Sequence, residues 1–517
     1  MCSVHESPPT SKLPRSVRRF FNPYIGRVTY LLFAAAVVVG EAAWAAMSPP
    51  PANVAPVIKV IQTSHDLGQH LAPVGELRFT SKQPSGVPVI HISDSVRYQR
   101  IVGVGAAMTD SSAWLLYTQL PRHLFKKTMD ALYGPGGIHL GFIRVPMGAS
   151  DFSANGYPYT YDDHPPGGLD PSLGHFSLSH DSPYILPALR EALTLNPAAQ
   201  IIATPWTPPD WMKIYNNLGN TDNASYLLPS DYAELANYFV KFLRGYARAK
   251  VPVTAVTPQN EPGQGTWYPG LNLPEWAEAS FVADYLKPAL RRARLKTAIF
   301  GYDSTWSTVT PPYVRALLTG SASQDLAGIA FHCYYGTPTV MSALHRQEPK
   351  LEQWVTECTS QTDPTWFPAE LEIASLRNWA SAVALWNLAL DPAGGPVQAP
   401  NTACHGCTGV VTVDERTHRV SLGVPYFQLG QVSKFLKPGA VRIDSNHFVK
   451  YSAAGPGAGL DDVAFLNPDG TEALVAYNNS SARARFAVVW HHQSFSYDLP
   501  AGAMVTFAWR LTGLTGE

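Results

Sequence analysis

The chain has 517 residues, more than one ordinary hydrophobic core accommodates, and this length predicts at least two domains. Its hydrophobic fraction of 45% is that of a soluble globular protein. The formal net charge is −1, which gives no indication of a basic surface for nucleic acid or anionic lipid.

The N-terminus has the organisation of an export signal. Several arginines precede an apolar run from Val28 to Gly40, and Ala43-Trp44-Ala45 fits the small-x-small cleavage rule. The run is shorter than the about 20 residues of a membrane-spanning helix, and an uncleaved anchor is the alternative. We therefore predict a signal peptide over residues 1–45 that is cleaved near Ala45, a proline-rich linker over 46–56, and a periplasmic or extracellular protein without stable membrane insertion.

The cysteines indicate structural roles. Cys404-His405-Gly406-Cys407 has the spacing of half a zinc site, but no second pair exists, and in an oxidising compartment a short-loop disulfide is the favoured interpretation. Cys333 and Cys358 are predicted to be buried free thiols, because unpaired cysteine is commonly a core residue. We therefore predict no metal site.

A strand-like apolar run, then polar or Gly/Pro residues, then a helical stretch recurs along the chain. The eight runs are 100–105, 141–146, 200–205, 252–258, 297–302, 328–334, 353–358 and 381–387. Several are continuously apolar, as expected of parallel strands buried on both faces. We predict an α/β fold with a (β/α)8 TIM barrel over residues 99–430. A doubly wound open sheet is the alternative, against which the absence of a Gly-rich phosphate loop weighs.

One helix of this pattern has a clear start. Asp231 is predicted to cap it, with Glu234 completing a capping box. Apolar side chains then recur at helical spacing from Leu235 to Tyr246, and this stripe is expected to pack on the outside of the sheet.

After about residue 430 the pattern becomes that of short strands. These are 463–466, 473–477, 486–490 and 504–509, with a hairpin-type turn at Asn467-Pro468-Asp469-Gly470. We predict an all-β sandwich domain over residues 431–517. Residues 57–98 have similar strands and are expected to complete the same sandwich, which makes this domain discontinuous.

Polar side chains gather where the predicted barrel strands end, the position at which barrels of this kind carry their reactive groups. They are Asp110 after the first strand, Arg144 in the second, Trp206 after the third, Asn260 and Glu261 after the fourth, His332 and Tyr334 in the sixth, Glu357 in the seventh and Trp386 in the eighth. We expect all of them at one mouth.

Two glutamates of this set follow opposite strands. Glu261 follows the fourth strand and Glu357 ends the seventh, so their carboxylates can face each other across a closed barrel. A pair about 5–5.5 Å apart performs retaining glycoside hydrolysis, in which one carboxylate attacks the anomeric carbon and the other serves as acid and then base.

The sequence resembles the glucosylceramidase family, glycoside hydrolase family 30 of clan A. The resemblance runs from about Tyr98 to the C-terminus. The segments that carry it are Gly105–Asp110, Ile143–Ser153, Thr204–Lys213, Tyr238–Leu243, Gln259–Pro262, Trp386–Leu390, Gly394–Pro396 and Ser433–Phe435.

This resemblance implies roles for the residues at the mouth. Glu261 is the general acid/base, Glu357 is the nucleophile, and Arg144 orients Glu357. The residues expected to bind or flank the sugar are Asp110, Trp206, Asn260, His332, Tyr334, Trp386 and Asn401. No metal or organic cofactor is expected, since two carboxylates can perform the whole reaction.

Two departures from the family pattern bear on the substrate. The first motif reads Gly103-Val104-Gly105-Ala106-Ala107 instead of Gly-Phe-Gly-Gly-Ala, and Cys333 replaces the tryptophan of the lipid-cleaving members. We expect a retaining β-glycoside hydrolase that forms a covalent glycosyl-enzyme and acts on β-glucosides, either glucosylceramide-like lipids or β-1,6-glucan. β-Xylosides and β-fucosides, a transglycosylase and a non-catalytic carbohydrate-binding protein are the alternatives. The aglycone, endo or exo cleavage and the oligomeric state stay open.

Overall fold

The computed structural model describes residues 56–163, 168–307, 310–359, 366–398 and 406–510. The predicted signal peptide, all but the last residue of the predicted linker, Cys404 and Asn401 therefore lie outside the described residues. Among the described residues, no helix is both long enough and apolar enough to cross a membrane.

The strands and helices alternate in the middle of the chain, and strands predominate at its two ends. The strands are β1 (Val57–Thr63), β2 (Ala72–Arg78), β3 (Val89–Arg100), β4 (Gly103–Ala107), β5 (Phe142–Pro146), β6 (Gln200–Thr204), β7 (Ala255–Val256), β8 (Ala298–Trp306), β9 (Gly328–Gly336), β10 (Glu352–Glu357), β11 (Ala380–Leu385), β12 (Ala389–Leu390), β13 (Val411–Asp414), β14 (Arg419–Leu422), β15 (Val441–Ser445), β16 (Tyr451–Ser452), β17 (Gly455–Pro456), β18 (Leu460–Leu466), β19 (Thr471–Asn478), β20 (Ala484–Trp490), β21 (Gln493–Leu499) and β22 (Met504–Arg510). The helices are α1 (Asp110–Thr118), α2 (Arg122–Tyr133), α3 (Ile185–Leu195), α4 (Tyr232–Arg248), α5 (Glu275–Ser280), α6 (Lys287–Ala293), α7 (Thr310–Thr319), α8 (Thr339–Gln347), α9 (Pro368–Arg377) and α10 (Val424–Ser433).

The eight parallel strands β4 to β11 close into a barrel in chain order, which confirms the predicted fold. Each predicted apolar run overlaps one of these strands. The fourth, β7, keeps only Ala255 and Val256 as ladder residues. Pro252 and Pro258 flank it, and proline has no backbone N–H to donate to a neighbouring strand.

The inside of the barrel is packed, so its chemistry is confined to the ends. Large and small side chains alternate there, and Phe300 stacks on Trp354 with ring centres 4.0 Å apart. The carboxyl ends of the strands form an open end that we call the mouth.

Helix α4 confirms the predicted apolar stripe but not its predicted cap. The side chain of Asp231 makes no capping hydrogen bond, so the capping box was a wrong prediction. The reason is that Pro229–Asp231 already form a 3-10 turn that runs directly into α4. Asp231 therefore has φ −110° and ψ 12° rather than the extended conformation of a capping residue.

The strands that precede the barrel pair with those that follow it in one nine-stranded sheet, ordered β2-β1-β22-β19-β18-β15-β3-β20-β21. The sheet folds over on itself, since Trp490 of β20 and Trp509 of β22 meet in one core at 5.7 Å. The predicted turn at Asn467–Gly470 joins β18 to β19, with Gly470 at φ 77°. The discontinuous sandwich predicted from the sequence is confirmed.

A disulfide joins Cys333 and Cys358, so the prediction of two free thiols was wrong. Their burial was predicted correctly, at 5% and 1% exposed. His332 of β9 lies opposite Glu357 of β10, which places the next residue of each strand side by side. This register brings together two cysteines that are 25 positions apart in the chain. Cys407 is also disulfide-bonded.

Candidate active site

The two glutamates lie at the mouth on opposite strands of the barrel. Glu357 is the last residue of β10, and Glu261 lies in the turn after β7. Glu261 has φ 43°, a left-handed conformation that costs a non-glycine residue about 1–3 kcal/mol and is concentrated at functional sites. Its backbone N–H donates to the carbonyl of Asp303, 3.0 Å away, which holds this turn against β8.

His332 connects the two glutamates. One oxygen of each carboxylate and a ring nitrogen of His332 all lie within 4.8 Å of one another. The Nδ1 atom of His332 is 3.0 Å from Oε1 of Glu261 and 3.9 Å from Oε1 of Glu357. The carboxylates therefore face each other across the mouth as the strand positions predict.

Arg144 of β5 is the central cation of the site and is completely buried. Its guanidinium donates hydrogen bonds to Oε2 of Glu357, to Oδ1 of Asn260 at 2.6 Å and to Oδ2 of Asp303 at 2.9 Å. It also lies 4.8 Å from the ring centre of Trp206. A rigid group with this many donors fixes several side chains at once.

Asp303 belongs to this network, although sequence reasoning missed it. A register shift between Tyr302 and Ser304 leaves Asp303 outside the ladder of β8, a bulge that turns its side chain toward Arg144. Burial raises the pKa of Asp303, but Arg144 and His332 outweigh burial and hold this pKa well below its usual range. The available signal was an acidic residue directly after a predicted barrel strand.

The carboxylates around His332 raise its pKa. Burial lowers its pKa, but the carboxylates of Glu357, Asp303 and Glu261 outweigh this and raise it to about 9. Its Nε2 atom lies 3.2 Å from Oδ1 of Asp303, so each ring nitrogen has a carboxylate partner. Glu261, His332 and Glu357 are also close enough to one another to share a cation.

Aromatic side chains complete the surroundings of Glu357. The Tyr334 hydroxyl donates to Oε1 of Glu357 at 2.7 Å, and burial followed by the charge of Glu357 raises the pKa of Tyr334 well above 10. Trp206 and Trp386 stack on each other with ring centres 5.0 Å apart and an interplanar angle of 19°. They form an apolar floor between β6 and β11.

Asp110 lies next to this site rather than within its hydrogen-bond network. Its carboxylate accepts hydrogen bonds from the backbone N–H of Ala154 at 2.7 Å and from the hydroxyls of Tyr184 at 2.8 Å and Tyr159 at 3.2 Å. Nε2 of His180 lies 2.5 Å from Oδ2 of Asp110, the oxygen that also accepts from both tyrosines. Protein groups thus occupy most of the acceptor capacity of Asp110.

Asp151, in the loop after β5, is the acidic residue that borders the glutamate pair. Burial raises its pKa well above the usual value, and the charges of Glu357 and Glu261 raise it further, whereas a hydrogen bond from Trp386 lowers it. Its buried Oδ1 atom has no hydrogen-bond partner among the described residues. Sequence reasoning left Asp151 out of the site set, although it lies in a motif that carries the family resemblance.

The structure therefore connects most of the predicted site residues. Those linked directly are Arg144, Trp206, Asn260, Glu261, His332, Tyr334, Glu357 and Trp386. Asp110 forms a neighbouring cluster, and Asn401 lies outside the described residues.

Known proteins are similar to this chain over most of its length. An endo-1,6-β-D-glucanase of Aspergillus fumigatus is 33% identical over 425 residues, which cover 79% of this chain and 85% of the relative. The lysosomal acid glucosylceramidase of Mus musculus is 28% identical over 440 residues, covering 80% and 82%. A solved endo-β1,6-glucanase structure is similar with a TM-score of 0.77 and 27% identity, covering 88% of this chain and 99% of that one.

The family models match both parts of the fold. Residues 101–436 match the glycosyl hydrolase family 30 TIM-barrel domain, and residues 439–507 match the β-sandwich domain of the same family. The first match alone covers more than half of the chain. The chain therefore belongs to glycosyl hydrolase family 30.

Proposed function

We propose that this glycoside hydrolase cleaves β-1,6-glucan with retention of configuration at the anomeric carbon. The observation that carries the proposal is the glutamate pair, in which one oxygen of Glu261 lies within 4.8 Å of one oxygen of Glu357. Inverting enzymes hold their carboxyl groups about 6.5–9.5 Å apart to admit a water, whereas retaining enzymes hold them about 5–5.5 Å apart. The short separation favours retention.

In the first step Glu357 attacks the anomeric carbon and Glu261 protonates the leaving oxygen. Arg144 and Tyr334 each donate to a different oxygen of Glu357, which aims the carboxylate. Oε1 of Glu261 faces Nδ1 of His332, so Oε2 is the oxygen left to face the leaving group. In the second step Glu261, now ionised, takes a proton from water as that water attacks the glycosyl-enzyme.

The sugar ring is bound on the side of the mouth that carries the tryptophan floor. Because Oδ1 of Asn260 accepts from Arg144, its amide group is free to donate to the sugar 2-hydroxyl. The free oxygen of Asp151 is a second ligand for a sugar hydroxyl. We assign to Asp151 the role that the sequence suggested for Asp110, since the carboxylate of Asp110 is occupied by protein donors.

The choice of substrate rests on the relatives. The A. fumigatus endo-1,6-β-D-glucanase is more similar to this chain than the mouse glucosylceramidase, at 33% against 28% identity over comparable lengths. A polymeric substrate also agrees with the export signal proposed for residues 1–45, since a glucan chain is met outside the cell. Glucosylceramide is the second candidate, supported by the mouse relative.

The test compares the wild-type protein with Glu357→Gln on β-1,6-glucan and on glucosylceramide. We expect release of reducing sugar from the glucan by the wild type and at least a 10³-fold lower rate for the variant. Proton NMR of the first product should show the β-anomer before mutarotation. Initial release of the α-anomer, or undiminished cleavage by Glu357→Gln, would contradict the mechanism.

A further inference from the structure

Lys213 is a completely buried lysine that takes no part in the two chemical steps. It follows the 3-10 turn Asp210–Met212 in the loop after β6. Its Nζ atom donates hydrogen bonds to the hydroxyl of Thr207 at 3.0 Å and to the carbonyls of Gly219 at 2.8 Å and Gly270 at 2.7 Å. An ammonium group has three hydrogens, so these three oxygens use its whole donor capacity.

The oxygens that accept from Lys213 all belong to neutral groups. Burial lowers the pKa of Lys213 to about 7, and the charge of Asp210 offsets this only in part. A buried ion whose partners are neutral is unfavourable, and an apolar side chain of similar size would avoid the cost. The buried charge therefore points to a role beyond the stability of the fold.

The partners of Lys213 belong to the loops that carry the tryptophan floor and the acid/base. Thr207 directly follows Trp206, in the loop after β6. Gly270 lies in the loop after β7, nine positions beyond Glu261. The ammonium group therefore joins the loop of one group to the loop of the other.

The two loops also pair through their backbones around the buried ammonium. The N–H of Gly270 donates to the carbonyl of Leu218 at 3.0 Å, and Asn220 and Thr266 exchange two backbone hydrogen bonds of 3.1 and 3.2 Å. The side-chain amide of Asn220, which is buried, donates to the carbonyl of Gln264 at 2.6 Å. The loop after β7 is thus held along its length by the loop after β6.

This pairing reaches Glu261 within a few residues. The N–H of Gln264 donates to the carbonyl of Glu261 at 3.1 Å, and the N–H of Gly263 points to the carbonyl of Leu271 at 3.5 Å. Leu271 directly follows Gly270, whose carbonyl accepts from the ammonium. The left-handed backbone of Glu261 is an unfavourable conformation that persists only where its surroundings hold it. Loss of the ammonium should therefore loosen the turn that aims the Glu261 carboxylate.

We infer that Lys213 is the positioning residue of the acid/base: its ammonium group joins the loop of Glu261 to the loop of Trp206 and so fixes the proton donor against the bound sugar. The inference rests on the proposed function, because it takes Glu261 as the acid/base. A compact ammonium suits three converging oxygens better than a planar guanidinium does. Since Lys213 is buried and all its hydrogens are used, it acts through Glu261 and not on the sugar.

The experiment compares kcat/KM on the phenyl and dinitrophenyl glycosides of the β-1,6-linked glucose disaccharide, below pH 7. Phenolate leaves only with help from an acid, whereas dinitrophenolate leaves unprotonated, so the ratio of the two rates measures how well Glu261 is placed. Lys213→Met should lower kcat/KM about 100-fold on the phenyl glycoside and less than about threefold on the dinitrophenyl glycoside. Lys213→Gln keeps two donors without a charge and should lose about tenfold on the phenyl glycoside.

Lys434→Met is the matched control. Lys434 also donates to two backbone carbonyls, those of Gly136 at 3.0 Å and Gly137 at 2.8 Å. These glycines precede β5, so they lie at the end of the barrel opposite the mouth. Both rates of this variant should stay within about twofold of the wild type.

Two results would overturn the inference while the proposed function stands. Equal losses on both glycosides would mean that Lys213 supports the site as a whole, and unchanged rates would mean that Glu261 does not depend on it. If Lys213→Met fails to fold, the ratio of the two rates in Lys213→Gln decides between these outcomes. A wild type that cleaves neither glycoside would instead refute the proposed function, and with it the acid/base that Lys213 is inferred to position.

Discussion

Two neighbouring acidic clusters at the mouth are stabilised in different ways. Glu357 and Asp303 both pair with Arg144, and Asp303 also contacts His332. The carboxylate of Asp110 instead accepts hydrogen bonds from two tyrosine hydroxyls and a backbone N–H, and it contacts His180. The first arrangement holds the proposed nucleophile with a charged partner and leaves it facing the mouth, while the second surrounds a carboxylate with protein donors. The difference separates the carboxylate that we propose as the nucleophile from one that we propose to be structural.

Removal of the central cation should have the largest effect. Arg144→Met leaves Glu357 and Asp303 buried without their shared partner, which costs about 3–5 kcal/mol of unfolding free energy. We also expect kcat/KM to fall by at least about 10³-fold, because the nucleophile loses its orientation. Chemical denaturation and steady-state kinetics on β-1,6-glucan measure the two effects.

Arg377→Met is the matched control for this change. Arg377 is also paired with a buried carboxylate, Asp462, but at the junction of α9 with the sandwich. The Arg377→Met variant should have a lower unfolding free energy, while the folded protein keeps its kcat/KM within about threefold. A similar loss of activity in both variants would mean that Arg144 acts through folding alone.

The next effect distinguishes the two aspartates. Asp151→Ala removes the carboxylate that we propose as a sugar ligand, and we expect kcat/KM to fall about 100-fold with little change in stability. Asp110→Ala leaves buried tyrosine hydroxyls without an acceptor, which costs about 1–3 kcal/mol, and should change kcat/KM less than about fivefold. The reverse pattern would return the sugar-binding role to Asp110.

The sequence predicted the barrel strands and the glutamate pair because both follow from local patterns. Continuous apolar runs indicate buried parallel strands, and reactive groups lie where such strands end. The distinction between Asp110 and Asp151 was not predictable in this way, since each follows a barrel strand and lies in a family motif. The distinction depends on the path of the loop after β5. This path lets the backbone N–H of Ala154 donate to Asp110 and brings Asp151 to Trp386.

Two other features depend on strand register, which apolar periodicity does not specify. Asp303 reaches Arg144 because a bulge in β8 turns it inward. The disulfide between Cys333 and Cys358 forms because β9 and β10 pair His332 with Glu357. A sequence separation of 25 residues contains no sign of this contact.

The disulfide joins the residues that follow His332 and Glu357, and its loss should cost less than the loss of Arg144. Its loop of about 25 residues predicts a stabilisation of about 3 kcal/mol through the unfolded chain. We expect Cys333→Ala/Cys358→Ala to lower the unfolding free energy by about this amount and to reduce kcat by less than tenfold. Denaturant titration measures the unfolding free energy of the double variant. If the variant is as stable as the wild type and keeps its kcat, β9 and β10 need no covalent link.

The alkaline titration of His332 tests the charge balance of the first cluster directly. Its pKa is raised in the folded protein, from an ordinary 6.5 to about 9. Its contribution to stability is therefore complete below pH 6.5 and is lost as the pH rises to about 9. Because one proton is released, the unfolding free energy falls by at most about 1.4 kcal/mol per pH unit. His332→Gln keeps a hydrogen-bonding side chain but no titrating group, so the slope of unfolding free energy between pH 7 and 9 should be shallower by up to that amount. An identical slope in both proteins would mean that His332 is already neutral, and the balance of charge around Glu357 would then rest on Arg144 alone.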